Sequence, residues 1–217
     1  GETLWRTSRE GSKPSASTPL AHVLDSGQVQ FVCNSMSHGC FALDGWTGKV
    51  VWETGANSLD KRSVSSPFQA QGFFFASCGS GGRGSRMLAV LPPSGDDESA
   101  TIAYMLDRNV PYVPTPLGID DLLFTITDAG IATCIETKSG KLLWMERVGG
   151  NYFASPIAVS NQILVTSREG VVKFLRITRE GLVVEGQIEL GELTHGTPAV
   201  GRNAIFFRTY TKLHCFR

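Results

Sequence analysis

The feature that most restricts what this chain can fold into is that it repeats. Ser or Thr, then Pro, then an apolar residue recurs at Thr18-Pro19-Leu20, Ser66-Pro67-Phe68, Thr115-Pro116-Leu117, Ser155-Pro156-Ile157 and Thr197-Pro198-Ala199. The prolines stand 48, 49, 40 and 42 residues apart. After each comes a short gap and then an apolar run: VQFVC, FFFAS, LLFTI, ILVTS and IFFRT. These runs are rich in β-branched and aromatic residues and end at turn residues, which is how strands look in sequence. No segment keeps a 3.6-residue apolar period over ten residues, so helices are not expected. Repeats of 40–50 residues, each with about four short strands, fit an all-β propeller of four-stranded antiparallel blades.

A second pattern has its own order. Ala42, Asp44, Gly48-Lys49 and Trp52 are echoed by Cys134, Glu136, Gly140-Lys141 and Trp144. The two ends hold halves of the same pattern, Cys215-Phe216-Arg217 and the stretch that closes on Trp5. The order has a mechanical explanation. Asp44 ends the third strand of a blade and accepts hydrogen bonds from N–H groups of the following turn, where Gly48 supplies a positive φ. Lys49 opens the outer strand and faces water. Trp52 lies between neighbouring blades, burying a large area with its N–H aimed at a partner. The small residue at 42, 134 or 215 makes room at the same level, and Trp46 stays exposed. The approximate repeats are then 17–54, 65–106, 114–147, 154–190, and 197–217 completed by 1–7 as an outer strand. Together they form a single propeller domain over 1–217 or the C-terminal part of one. Either the two ends close a five-bladed ring, or the chain is part of a larger ring.

Charge and cysteine usage remove several function classes. Lys plus Arg and Asp plus Glu number 20 each, which speaks against a nucleic-acid partner, since such domains carry a basic excess. No apolar run approaches the roughly 18 residues of a membrane span. No signal peptide opens the chain, as expected of a processed or truncated one. Cys33, Cys40, Cys78, Cys134 and Cys215 form neither a CxxC nor an adjacent pair. An odd count is a poor disulfide framework, and most are expected to be buried small side chains.

At residues 42–52 the chain resembles the PQQ-repeat, or quinoprotein-like, propellers, whose blades carry a tryptophan-docking motif A-x-D-x-x-x-G-K-E-x-W. Val50 replaces the Glu, and residues 134–144 match with Cys134 and Glu136 in place of Ala and Asp. Stretches such as RSVSSP, YVPTPL, ERVGGNYFASPIAV and RTYTKLHCF look most like the non-enzymatic members of bacterial envelopes, a group that includes an outer-membrane barrel-assembly lipoprotein. The resemblance implies a periplasmic or extracellular location and rings of seven or eight blades, against five repeats here. Enzymatic members are similar in fold but carry a vicinal disulfide, a calcium site of Glu, Asn and Asp, and a catalytic Asp. No adjacent cysteines occur in this chain and no acid can be assigned to the catalytic position. No cofactor is therefore expected, with PQQ the one to test. Two repeats lack the docking motif: one holds the acidic insertion Asp96-Asp97-Glu98, the other has Gly181 but no Trp.

Few residues suggest chemistry. Residues 78–86, CGSGGRGSR, look like a phosphate cradle, but a strand-like run follows where a helix would be needed. A hairpin loop is the stronger reading, with a weak anion site at Arg83 and Arg86 as the other. His22, His38, His195 and His214 show no metal-ligand spacing, and no serine lies in G-x-S-x-G. Catalytic, cofactor-binding and metal-ligating residues are thus all expected to be absent.

The loops before each Ser/Thr-Pro are the better candidates. They carry Lys13, Arg62, Tyr112, Asn151, Tyr152 and His195 and would open on one face around a central channel. Aromatic and cationic side chains in such a place suit recognition; polar loop residues that merely face water are the competing reading. The function that follows is a non-catalytic binding or scaffolding propeller for a protein or carbohydrate-like partner. A degenerate PQQ-dependent oxidoreductase and a purely structural segment of a larger propeller are the alternatives.

Overall fold

A computed structural model describes residues 1–11, 13–81, 85–94 and 99–217. The Arg83 loop and the Asp96-Asp97-Glu98 insertion lie outside the described residues. Among those described there is no helix; nineteen strands form five antiparallel sheets in which sequence neighbours pair. The chain divides into two compact units, Gly1–Tyr112 and Val113–Arg217.

The first unit holds two four-stranded sheets: β1 (Leu20–Val23), β2 (Val29–Ser35), β3 (Gly39–Asp44), β4 (Val50–Glu53), then β5 (Phe68–Ala70), β6 (Phe73–Cys78), β7 (Arg86–Leu91), β8 (Thr101–Leu106). The second holds β9 (Leu117–Ile119), β10 (Leu122–Ile126), β11 (Ile131–Glu136), β12 (Lys141–Arg147), then β13 (Ile157–Val159), β14 (Gln162–Thr166), β15 (Val171–Ile177), β16 (Leu182–Glu189). A three-stranded sheet follows: β17 (Ala199–Gly201), β18 (Ala204–Arg208) and β19 (Leu213–Phe216).

Each four-stranded sheet has a register shift between its third and fourth strands, at Ala42/Leu43, Ala89/Val90, Cys134/Ile135 and Phe174/Leu175. The docking pair sits beside it. Trp52 is paired with Ala42 and Trp144 with Cys134, a large residue opposite a small one. The two sheets without the motif keep the same volume rule. Tyr104 stands opposite Ala89, and in β15–β16 the sizes are exchanged, Phe174 opposite Gly186. Cross-strand volume, rather than Trp itself, is what the position conserves.

Both tryptophans lie between neighbouring sheets, as the spacing predicts. Trp52 is 3% exposed and packs with Phe74, Ala76, Leu88 and Val90 of the next sheet, stacking on Phe74 at 5.6 Å. Trp144 is 8% exposed and packs with Ile163, Val165 and Leu175. Trp46 is 76% exposed. The turns also form as expected: Asp44 Oδ1 accepts from the Trp46 and Thr47 N–H groups at 3.0 and 2.7 Å, and Gly48 and Gly140 have φ of 69° and 71°.

Residues 1–7, expected as an outer strand, form no strand. Trp5 nevertheless docks. Its Nε1–H donates to Gly45 O at 2.9 Å, and the Thr7 hydroxyl donates to Gly48 O at 2.5 Å. A Cβ at Gly48 would come 2.4 Å from the Trp5 ring. The segment is thus held by side chains on the β3–β4 turn, so it needs no strand ladder. Cys215, expected to fill the small slot, is exposed, because its sheet has no fourth strand to place a large residue opposite it.

Candidate functional site

The Ser/Thr-Pro signal has a structural cause that the sequence did not reveal. In the first unit the Thr18 N–H donates to Ser66 Oγ at 3.0 Å. In the second, the Thr115 N–H donates to Ser155 Oγ at 2.9 Å, and the Ser155 N–H to Thr197 Oγ1 at 3.0 Å. Each hydroxyl therefore ties the start of one sheet to the start of the next. The proline that follows carries no N–H and stands immediately before an edge strand, where no ladder bond is lost. Pro67, Pro116, Pro156 and Pro198 are all buried.

This anchoring fixes which loop residues turn inward. In three of these approaches the residue four before the proline is buried and the one after it is not. Ser63, Tyr152 and Thr194 each stand four residues before their proline, and they are 1%, 1% and 2% exposed. Phe153 and His195 stand three residues before theirs and come outward, their rings 4.9 Å apart.

The β14–β15 turn completes a cluster in the second unit. The Arg168 N–H donates to Asn151 O at 2.7 Å, and Arg168 O accepts from the Thr194 N–H at 3.0 Å. Its backbone is thus held by both neighbouring loops. Gly170 makes the close approach possible: φ is 84°, and a Cβ there would lie 2.1 Å from Glu192 O. The Arg168 guanidinium lies 4.5 Å over the Phe153 ring, and its Nε–H donates to His195 Nε2 at 3.1 Å. That bond makes Nε2 an acceptor and places the imidazole proton on Nδ1. Tyr210, 61% exposed, meets His195 edge to face at 5.8 Å. A cavity of about 350 Å³ opens here, lined by Thr194, His195, Gly196, Arg208, Thr209 and Tyr210.

The acids beside the cluster are already engaged. Hydrogen bonding by the Asn151 side chain holds the Glu169 carboxyl down to about 2. Thr211, Thr209 and Lys212 do the same for Glu192, also to about 2. Cysteine chemistry is suppressed by burial, which pushes the Cys33 and Cys134 thiols up to about 11 and raises Cys40 and Cys78 as well. A protonated thiol is a poor nucleophile.

The six loop residues singled out in sequence fall in different places. Lys13, Arg62, Asn151 and His195 are exposed. Arg62 and Tyr112 meet at Gly79 in the first unit: Gly79 N–H donates to Arg62 O, and a Cβ at Gly79 would lie 2.8 Å from the Tyr112 ring. Asn151 and His195 meet around Arg168 in the second unit. Tyr152 requires correction. It is among the largest fully buried side chains and belongs to the core with Trp144, Ile163 and Leu175, buried four residues before its proline as Ser63 and Thr194 are. Phe153, Arg168, Arg208 and Tyr210 were missed. A recurrent turn could have located Arg168: Thr127–Gly130 and Ser167–Gly170 share a Thr/Ser-x-x-Gly pattern with positive φ at the Gly.

The residues present do not fit PQQ as the enzymatic resemblance would require. The described cysteines are all free, and no three His, Cys, Asp or Glu side chains gather among the described residues. Among the described residues no helix is long and apolar enough to cross a membrane.

Residues 111–184 match the family model described as outer membrane protein assembly factor BamB. Among solved structures, BamB from Moraxella catarrhalis is similar with a TM-score of 0.50 and 13% identity, over 95% of this chain and 73% of that one. No curated protein sequence matches the chain. The repeats, the antiparallel sheets and the structural likeness together show a β-propeller fold similar to that of BamB, and residues 111–184 resemble its repeats.

Proposed function

We propose that the chain is a non-catalytic binding module that offers the loops 149–156 and 191–198, with the turn 167–170 between them, to a protein partner. The observation that carries this reading is the rigid cluster of Arg168, Phe153, His195 and Tyr210. Aromatic and guanidinium groups held in place beside a cavity lose little entropy on binding, which is how a few residues come to dominate an interface. The similarity to a protein named for outer-membrane protein assembly supports a partner in the bacterial envelope, on the periplasmic or outer side of the inner membrane. Nothing in the geometry favours a carbohydrate over a protein, and the buried thiols offer no nucleophile.

A photo-crosslinking amino acid placed at Tyr210, and as a control at Trp46, tests this in native cells. The expected result is a discrete protein adduct from position 210 alone, identified by mass spectrometry. Equal adducts from both positions, or none from 210, would overturn it.

A further inference from the structure

We infer that the cavity beside Tyr210 is a carboxylate site, built to take an Asp or Glu side chain of an extended protein segment with an apolar residue next to it. The inference rests on the reading of these loops as a protein-recognition surface and names what they recognise.

Charge bookkeeping is the first support. Two guanidinium groups stand at the cluster. Arg208 lines the cavity, is exposed, and its side chain has no hydrogen-bond or ion-pair partner among the described residues. Arg168 commits only Nε, to His195, and leaves its two amino nitrogens without acceptors among the described residues. Neither neighbouring acid pairs with these arginines; each is engaged by other donors. Glu192 accepts from Thr209 and Thr211 and pairs with Lys212 at 3.0 Å, while Glu169 accepts from Asn151. The fold has neutralised its own anions with other donors and left guanidinium nitrogens over. Guanidinium N–H groups match a carboxylate in geometry as well as charge.

Shape and surroundings are the second support. A cavity of about 350 Å³ is at the small end of the range for ligand sites, the size of one or two side chains rather than of a cofactor. Tyr210 forms an aromatic wall, and Leu193, whose carbonyl accepts from the Tyr210 N–H, is 49% exposed beside it, an apolar contact for a neighbouring residue. The cavity floor is well fixed, since the Thr194 hydroxyl donates to Arg208 O at 2.6 Å and the Tyr210 N–H to Leu193 O at 3.1 Å.

The test uses the 15N-labelled chain titrated with the blocked peptide acetyl-Ala-Phe-Glu-Ala-amide and with its Gln counterpart. Saturable amide shifts at Thr194, Gly196 and Tyr210 are expected with the Glu peptide, and about tenfold weaker binding with the Gln peptide, the loss of one charge-assisted contact. Arg208→Met should weaken the Glu peptide about tenfold and leave the Gln peptide unchanged. Equal affinity for both peptides, or no shift from either at 10 mM, on the order of the weakest single contacts, would overturn the carboxylate site. An adduct from position 210 that survives Arg208→Met in a chain blind to the Glu peptide overturns this site and leaves the recognition surface standing. Glu-peptide binding without any protein adduct overturns the protein partner and leaves the carboxylate chemistry in place.

Discussion

Tyr152 and His195 sit in successive loops of the same unit, each a few residues before a proline that opens an inner strand, yet they have opposite fates. Tyr152 is 1% exposed and packs in the core; His195 is exposed and meets Phe153 and Tyr210 at tilted and edge-to-face angles. The difference is one position in the chain. In these two loops position four before the proline is buried and position three is not. A recognition surface on these loops is therefore made of the residues that are not buried, and the buried set holds the surface up.

The largest expected effect breaks the comparison at its buried end. Tyr152→Ala should destabilise the protein by about 3–5 kcal/mol, as truncating a buried aromatic does. A denaturant melt that moves by less than 1 kcal/mol, about the threshold of a surface change, would remove Tyr152 from the core. Next come the glycines that shape the two loops. Gly170→Ala puts a Cβ 2.1 Å from Glu192 O at a φ of 84° and should cost about 2–3 kcal/mol. Gly191→Ala has a similar φ of 77° but open space, and should cost about 1 kcal/mol. Equal costs would mean that the close approach at Gly170 relaxes freely.

The two docked tryptophans sharpen the comparison from another side. The Trp144 indole N–H donates to Thr178 O at 2.8 Å, while Trp52 Nε1 is buried with no partner among the described residues. Trp144→Phe should therefore cost about 1 kcal/mol more than Trp52→Phe, measured by thermal melts.

Acid should loosen the exposed loops before the core. Glu169 and Glu192 have folded-state values lowered to about 2, so their contribution is full above the ordinary carboxylate value of 4.5 and fades as pH falls toward 2. Amide shifts of Asn151 and Thr211 followed from pH 6 to 2 should report both transitions, and Asn151→Ala should raise the Glu169 midpoint alone. The smallest effect belongs to the exposed end. His195→Ala should change stability by no more than about 0.5 kcal/mol, and a melt shifted as far as that of Tyr152→Ala would erase the distinction between the two positions.

Much of the fold could be read from local pattern. Asp44, Thr47 and Gly48 make their turn from neighbours within a few residues, so short-range sequence sufficed. Trp46 lies in the same turn, while the burial of Trp52 against the next sheet was legible from the repeated motif. The outer strand expected at residues 1–7 did not follow, since a strand needs a ladder partner and Trp5 found a turn instead.

What the sequence by itself determined is the all-β repeat, the strand runs, the turn chemistry and the burial of the paired tryptophans. These follow from periodicity and from motifs that recur with the repeat. What only the tertiary structure decided is the direction of Tyr152, the hydroxyl relay from Thr115 through Ser155 to Thr197, and the gathering of Arg168, Phe153, His195 and Tyr210. The relay and the cluster depend on partners 15 to 42 residues away in the chain. No local propensity encodes such distances; they are set by how successive sheets pack.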